Sequence, residues 1–200
     1  MSKEPDYLQL SDAALLAQCD IHTYRSSGPG GQHRNKVSSA VRLRHPPTGI
    51  SAHGDDSRSQ HENKAMAIKR LRMNFALQLR HPVDKVAGAI PALVRECLFV
   101  PRGKGPVGRA PPADTHAHKD GGQCPPYVVK RLQVGRRDHR FWPVGAFLLD
   151  VLEAFEGRLS DAAAWLGVTT SNLVSVFQDD RHLLAAAQAI RKAHGHGPVK

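Results

Sequence analysis

Three features of this sequence predict an α+β fold, opening with a small α-β-β-β-α layer. From Val37 the chain alternates, with Val37, Val41 and Leu43 on one face and Arg42 and Arg44 on the other, as in a strand buried on one side. His45-Pro46-Pro47-Thr48-Gly49 has turn chemistry, and Ile50 to His53 can return as the next strand. Behind them Ile68, Leu71, Phe75 and Leu79 recur at helical spacing, which supplies a helix to cover one sheet face.

The remaining elements follow in chain order. Ser11 has the chemistry of a helix N-cap, with Asp12 in the first turn where the helix dipole favours an acid. Leu10 and Leu15 fit a hydrophobic staple, so the expected first helix spans 11–19. Ile21 to Arg25 reads as a strand entering a glycine-rich stretch, Ser26 to Lys36. Ser57-Arg58-Ser59-Gln60 has the S-x-x-Q form of a capping box, which opens a helix over 58–80 with Arg58, Lys69, Arg70 and Arg72 facing solvent. The first domain is therefore expected over 8–80.

Residues 81–140 read as a basic Gly/Pro-rich linker. Between Val100 and Pro126, 11 of 27 residues are Gly or Pro, too little apolar surface to offset the entropy of ordering. Helical patterning resumes past Phe141-Trp142-Pro143, giving a third region over 141–194. There Leu159-Ser160-Asp161 opens a helix, Gly167 breaks it, and Thr169 or Thr170 starts another. The spacing of Ala163, Gly167, Leu173 and Val176 resembles a helix-turn-helix.

The chain has 200 residues and a net charge of +10, which favours an extended anionic partner. Residues 1–80 hold 12 Lys/Arg against 7 Asp/Glu, residues 81–140 hold 11 against 5, and residues 141–200 hold 5 against 6. The basic surface is thus expected in the first two thirds. Cys19, Cys97 and Cys124 are odd in number and widely spaced, which implies no disulfide framework and fits a reducing compartment. No apolar run approaches the roughly 20 residues of a membrane span, and MSKEPDYLQLSD has no apolar leader core. The expectation is a soluble, cytoplasmic, monomeric protein.

Arg25-Ser26-Ser27-Gly28, Gly30-Gly31-Gln32-His33 and Asn35-Lys36 set a glutamine behind a glycine pair and surround it with cations and hydroxyls. Gln32 serves neither as a proton donor nor as a base, and the loop lacks both phosphate-binding glycine spacings. Arg25, Arg34, Lys36, Arg58 and Lys64 suit phosphate contacts, and Ser26, Ser27 and Asn35 suit sugar or phosphate. These blocks, with Pro47-Thr48-Gly49, Arg58-Ser59-Gln60 and Asn63-Lys64 following in order, resemble the catalytic domain of class I peptide chain release factors and their ribosome-rescue relatives over roughly residues 15–80.

The resemblance implies a ribosome-dependent esterase acting on peptidyl-tRNA, with ribosomal RNA of the peptidyl-transferase centre as partner and no cofactor or metal. It implies that Gly30 and Gly31 adopt backbone angles other residues resist. The Gln32 N–H then faces the developing oxyanion while its side chain holds the attacking water. Proton transfer falls to RNA, including the tRNA 2′-hydroxyl. His33, Ser59, Gln60, Asn63 and Lys64 enter as RNA-contacting positions on the same ground. Arg34 departs from the pattern, where an apolar residue is more usual.

Because 24 residues precede Arg25, the expectation is codon-independent rescue rather than stop-codon reading. Rescue relatives carry a Lys/Arg-rich tail; here the end holds only Arg191, Lys192 and Lys200, so residues 102–140 are the better candidate for the mRNA channel. The rival expectation is a non-catalytic ribosome- or RNA-binding factor that keeps the fold. The second copy of the tripeptide, Gly121-Gly122-Gln123, has no basic cluster after it and reads as loop. His116, His118 and Cys124 have loosely metal-like spacing without a fourth ligand. The helix after Gly167 is expected to expose Thr169, Ser171, Asn172 and Ser175 with no cation for DNA.

Overall fold

The computed structural model describes residues 7–25, 38–85, 90–100 and 130–199. They fall into two compact units, Met1–Leu79 and Arg80–Lys200.

In the first unit, Ser11 caps helix α1 (Asp12–Leu16), its hydroxyl accepting from the Ala14 N–H. α1 stops three residues short of the expected end, because a short turn from Ala17 leads straight into strand β1 (Asp20–Tyr24). Strands β2 (Ala40–Arg44) and β3 (Ser51–Gly54) complete an antiparallel sheet in the order β1-β2-β3. The registers run from Asp20 opposite Arg44 to Tyr24 opposite Ala40, and from Val41 opposite Gly54 to Arg44 opposite Ser51. In β2, Val41 and Leu43 point inward while Arg42 and Arg44 are exposed, as the alternation predicts. Val37 lies outside the described residues.

The turn between β2 and β3 closes on the His45 N–H, which donates to the Ile50 carbonyl at 2.8 Å, with Gly49 at φ +71°. Only glycine takes up that backbone region readily. Helix α2 (Gln60–Gln78) packs Ala67, Ile68, Leu71 and Phe75 against Val41, Leu43, Ile50 and Ala52, and Leu15 of α1 closes the core.

Two arginines expected in solvent instead bind the body of the domain. Arg72 donates to the Leu8 and Leu10 carbonyls at 2.9 and 2.6 Å and pairs with Asp12 at 2.7 Å. Arg70 donates to the His53 carbonyl and to Asp56, each at 2.8 Å. The flanks of the apolar stripe are thereby used to fasten both the entry segment and β3 to α2. Lys69 and Arg58 are exposed.

The second unit is mainly helical. Helix α3 (Ala92–Glu96) leads into β4 (Leu98–Phe99), which pairs antiparallel with β5 (Arg131–Leu132). The span expected to be a linker therefore carries ordered structure at both ends, because Val94, Cys97, Leu132 and Val134 are buried. Residues 101–129 lie outside the described residues, among them Arg102, Lys104, Arg109, the 121–123 tripeptide, His116, His118 and Cys124.

Helix α4 (Phe141–Ala154) is buried along most of its length, including Phe141, Val144, Leu148, Leu149, Val151 and Leu152. Asp150, also buried, pairs with Arg80 at 3.1 Å. Burial pushes the Asp150 carboxyl up, against the hydrogen bonds from the His81 backbone and Arg80. Helix α5 (Leu159–Leu166) ends at Gly167 with φ +72°, and Thr169 caps helix α6 (Thr170–Gln178). Asp180 then caps helix α7 (Arg181–Ala193) and pairs with Arg136 at 2.8 Å. Arg191 is held by the Gly157 carbonyl at 2.6 Å, which commits it to the fold rather than to a free tail.

At Gly54 the sheet approaches the helix closely. A Cβ there would lie 2.0 Å from the Asn63 carbonyl oxygen. Gly54→Ala is expected to destabilise the first unit by about 3 kcal/mol or more, since backbone on both sides must shift. Urea unfolding of the variant measures this, and an unchanged midpoint contradicts it.

Candidate functional site

The strand registers place the candidate site at one end of the first sheet. Tyr24 ends β1 opposite Ala40, which begins β2, so residues 25–39 leave and re-enter the sheet at the same edge. Gly54 pairs with Val41 at that edge, so the connection from β3 to α2, residues 55–59, emerges there too. Arg25, Arg58, Ser59 and Gln60 are gathered at this end, with Asn63 and Lys64 one turn further along α2. Ser26, Ser27, Gly30, Gly31, Gln32, His33, Arg34, Asn35 and Lys36 lie outside the described residues.

A compact hydrogen-bond network joins these segments. The cap of α2 is Ser59, not Ser57: its hydroxyl accepts from the Glu62 N–H at 3.3 Å. Ser57 Oγ accepts from the Ser59 N–H at 3.1 Å and donates to Glu62 Oε2. The capping box is thus S-x-x-E, two residues later than expected, with Ser57 relaying the return bond that a glutamate usually makes directly.

Asn63 is the centre of the network. Its Oδ1 accepts from the Ser57 N–H at 2.8 Å, and its Nδ2 donates to the Ser57 and Ser39 carbonyls, each at 2.8 Å. The side chain is fully buried. Asn63, expected among the RNA-contacting residues, is interior here: both amide hydrogens and the oxygen are bonded to backbone. What it holds is Ser39, the exit of the glycine stretch, against the first turns of α2. The signal was legible in part, since Asn63, Ala67, Leu71 and Phe75 recur every fourth residue, which puts the asparagine on the buried stripe.

Of the other expected contacts, Arg25, Arg58 and Gln60 are exposed, and Lys64 and Ser59 are half-buried. Ser59 carries a capping role whatever else it touches. Arg25, Arg58 and Lys64 leave cations beside the loop ends, in reach of an anionic surface.

The Pro47-Thr48-Gly49 block also has a structural partner. His45 is fully buried, with Nδ1 2.9 Å from Thr48 Oγ1 and Nε2 3.2 Å from Gln18 Oε1. Its ring meets Tyr7 and Phe75 edge-on at 4.7 and 5.1 Å between centroids. Burial lowers the His45 pKa from its ordinary 6.5.

An antiparallel three-strand sheet is covered by one long helix, and Arg25, Arg58 and Lys64 stand near one end of it. Residues 15–86 match the model of the RF-1 domain family. The chain is similar to peptide chain release factor 1 of Albidiferax ferrireducens, 62% identical over 71 residues, which is 34% of this chain and 18% of that protein. It is similar to the same factor of Nitrosospira multiformis, 52% identical over 92 residues, covering 45% and 26% of the two chains. With that of Leptothrix cholodnii the identity is 49% over 83 residues, or 42% and 22%. The chain thus spans about a fifth to a quarter of the length of these curated relatives. Among the described residues no helix is long and apolar enough to cross a membrane.

Two measurements test this network. Asn63→Leu strips partners from three part-buried backbone groups and is expected to cost about 3 kcal/mol in urea unfolding. For His45, the unfolded chain takes up a proton near pH 6.5 while the folded state resists it to lower pH. Stability of the first unit is therefore present above that value and lost as pH falls through the window beneath it. His45→Gln should flatten this decline between pH 7 and 5; an identical decline in both proteins would remove His45 as its source.

Proposed function

We propose that this chain hydrolyses the ester joining nascent peptide to tRNA on the ribosome, through Gly30, Gly31 and Gln32. The observation that carries the reading is the convergence at one end of a matched RF-1 domain: the two strands flanking the loop are paired through Tyr24 and Ala40, and the loop's exit is bonded to α2 through Asn63. A loop anchored at both ends can present a backbone N–H at a fixed place. That N–H, from Gln32, stabilises the oxyanion as the carbonyl is attacked, an effect worth about 3–4 kcal/mol for a single donor in other enzymes. The Gln32 side chain orients water and excludes larger nucleophiles. Because RNA supplies proton transfer, the protein needs no acid or base at this position.

Ser26, Ser27, His33, Arg34, Asn35 and Lys36, with Arg25, Arg58, Gln60 and Lys64, form the RNA-facing set around that loop. The partners are peptidyl-transferase-centre RNA and peptidyl-tRNA, with a monomer acting in the cytoplasm. The finer reading is codon-independent rescue. It is supported by the chemistry of the second unit, where the exposed cations of the described 130–140 segment, Lys130, Arg131 and Arg137, suit phosphates and carry no sequence information. Arg136 and Arg140 are excluded from this role because they pair with Asp180 and Asp138. We read the α5–α6 pair, helix-turn-helix-like in sequence, as a packing unit. Asn172, expected on its surface, is turned into the Leu132 backbone instead.

Gly31→Ala should reduce peptide release from ribosome complexes by at least about 100-fold, the scale for losing an oxyanion donor, while ribosome binding and thermal unfolding stay near those of the unaltered chain. Gly122→Ala is the matched control and should release normally. Release at an unaltered rate by the Gly31 variant would overturn the catalytic reading, and binding without release by the unaltered chain would favour the non-catalytic factor. Release should be the same with stop or sense triplets in the A site and greatest on messages ending near the P site.

A further inference from the structure

One face of the β4–β5 pair carries an aromatic ring opposite a guanidinium, and a lysine adjoins that guanidinium in the chain. Phe99 lies directly opposite Arg131, while Leu98 opposite Leu132 faces inward. Among the described residues the exposed large apolar side chains are Ile21, Phe99 and Val100, so two of them adjoin on one short strand end. Phe99 is 40% exposed. Directly opposed residues of an antiparallel pair share a face, with Cβ atoms about 5 Å apart. The ring therefore stands beside a guanidinium and shares its face with exposed Gln133, two residues on, while exposed Lys130 precedes Arg131 in the chain.

Among the described residues neither Lys130 nor Arg131 pairs with a carboxylate, whereas Arg136 and Arg140 do. Among the described residues the cation seated over a ring is Lys85, above Phe155, not one beside Phe99.

The strand beneath is held firmly. The Lys130 N–H donates to the Gly167 carbonyl at 2.8 Å, and Asn172 bonds both the N–H and the carbonyl of Leu132, at 2.7 and 2.9 Å. A π-face and cations on two paired strands suit one chemistry well: an unpaired base stacked on the ring with its phosphates on the cations. A duplex keeps its base faces covered and offers only the phosphates.

We infer that Phe99, with Arg131 and Lys130, forms a stacking platform for a single-stranded nucleic acid. This deepens the reading of the 102–140 segment as a contact for RNA, moving it from charge alone to base stacking. The two fail separately, because the salt slope reports the charge and Phe99 reports the stack.

The test uses the full chain and fluorescein-labelled ten-nucleotide oligouridylate, oligothymidylate and a duplex of equal length. Both single strands should bind more tightly than the duplex, and tighter binding of the ribo strand would identify RNA as the source of the ligand. Phe99→Ala should weaken single-strand binding about tenfold with the salt slope unchanged. Phe99→Trp should restore it. Lys130→Ala with Arg131→Ala should instead lower the salt slope by about 1.4. Unchanged affinity in Phe99→Ala, or a preference for the duplex, would overturn the platform.

Discussion

The first unit depends on one buried side-chain amide. Asn63 offers an acceptor to the Ser57 N–H and donors to two carbonyls, and those three bonds join β2's entry, the β3–α2 connection and the helix itself. Remove it, and the helix cap, the loop exit and the close approach at Gly54 lose their common reference. The apolar core can bring α2 onto the sheet without Asn63, but hydrophobic contact is non-directional and does not fix where one loop meets one helix turn. A loop exit that meets the helix at one fixed turn needs a directional tie.

The same device recurs in the second unit. Asn172, in the first turn of α6, bonds both backbone groups of Leu132, so a helix residue substitutes for a neighbouring strand. Two-residue strands such as β4 and β5 contribute few ladder bonds of their own. The side-chain amide completes what the short ladder leaves open, and it does so from a helix that Thr169 has already capped.

What could be read in the sequence follows from which signals are periodic. The alternation through Val41 and Leu43 and the helical spacing of Ile68, Leu71 and Phe75 locate the sheet and α2, because burial on one face repeats along an element. The cap of α2 was displaced by two residues because Ser57 and Ser59 each have a suitable partner three positions on; only the geometry shows which hydroxyl reaches the helix. Arg70 and Arg72 look solvent-bound in sequence, since a charge beside an apolar stripe gives no hint that carbonyls from Leu8 and His53 will arrive there. β4 and β5 are too short to leave any period. Of the site, the exposed Arg25 and Arg58 were legible as cations, while Asn63 showed in the sequence only its place on the buried stripe and its bonds needed the folded chain.

The two asparagines also restrict how these units can drift in sequence. Aspartate would retain the acceptors but lose both donors, and would leave a carboxylate facing carbonyl oxygens. Glutamine carries the same amide one methylene too far from the helix, and serine is too short to span two segments. Each conservative neighbour thus fails for a separate reason. Variation in the surrounding apolar residues can be absorbed by repacking as long as volume and pattern are kept. The sequence around Asn63 and Asn172 is therefore free to wander, but it wanders about two nearly immovable points.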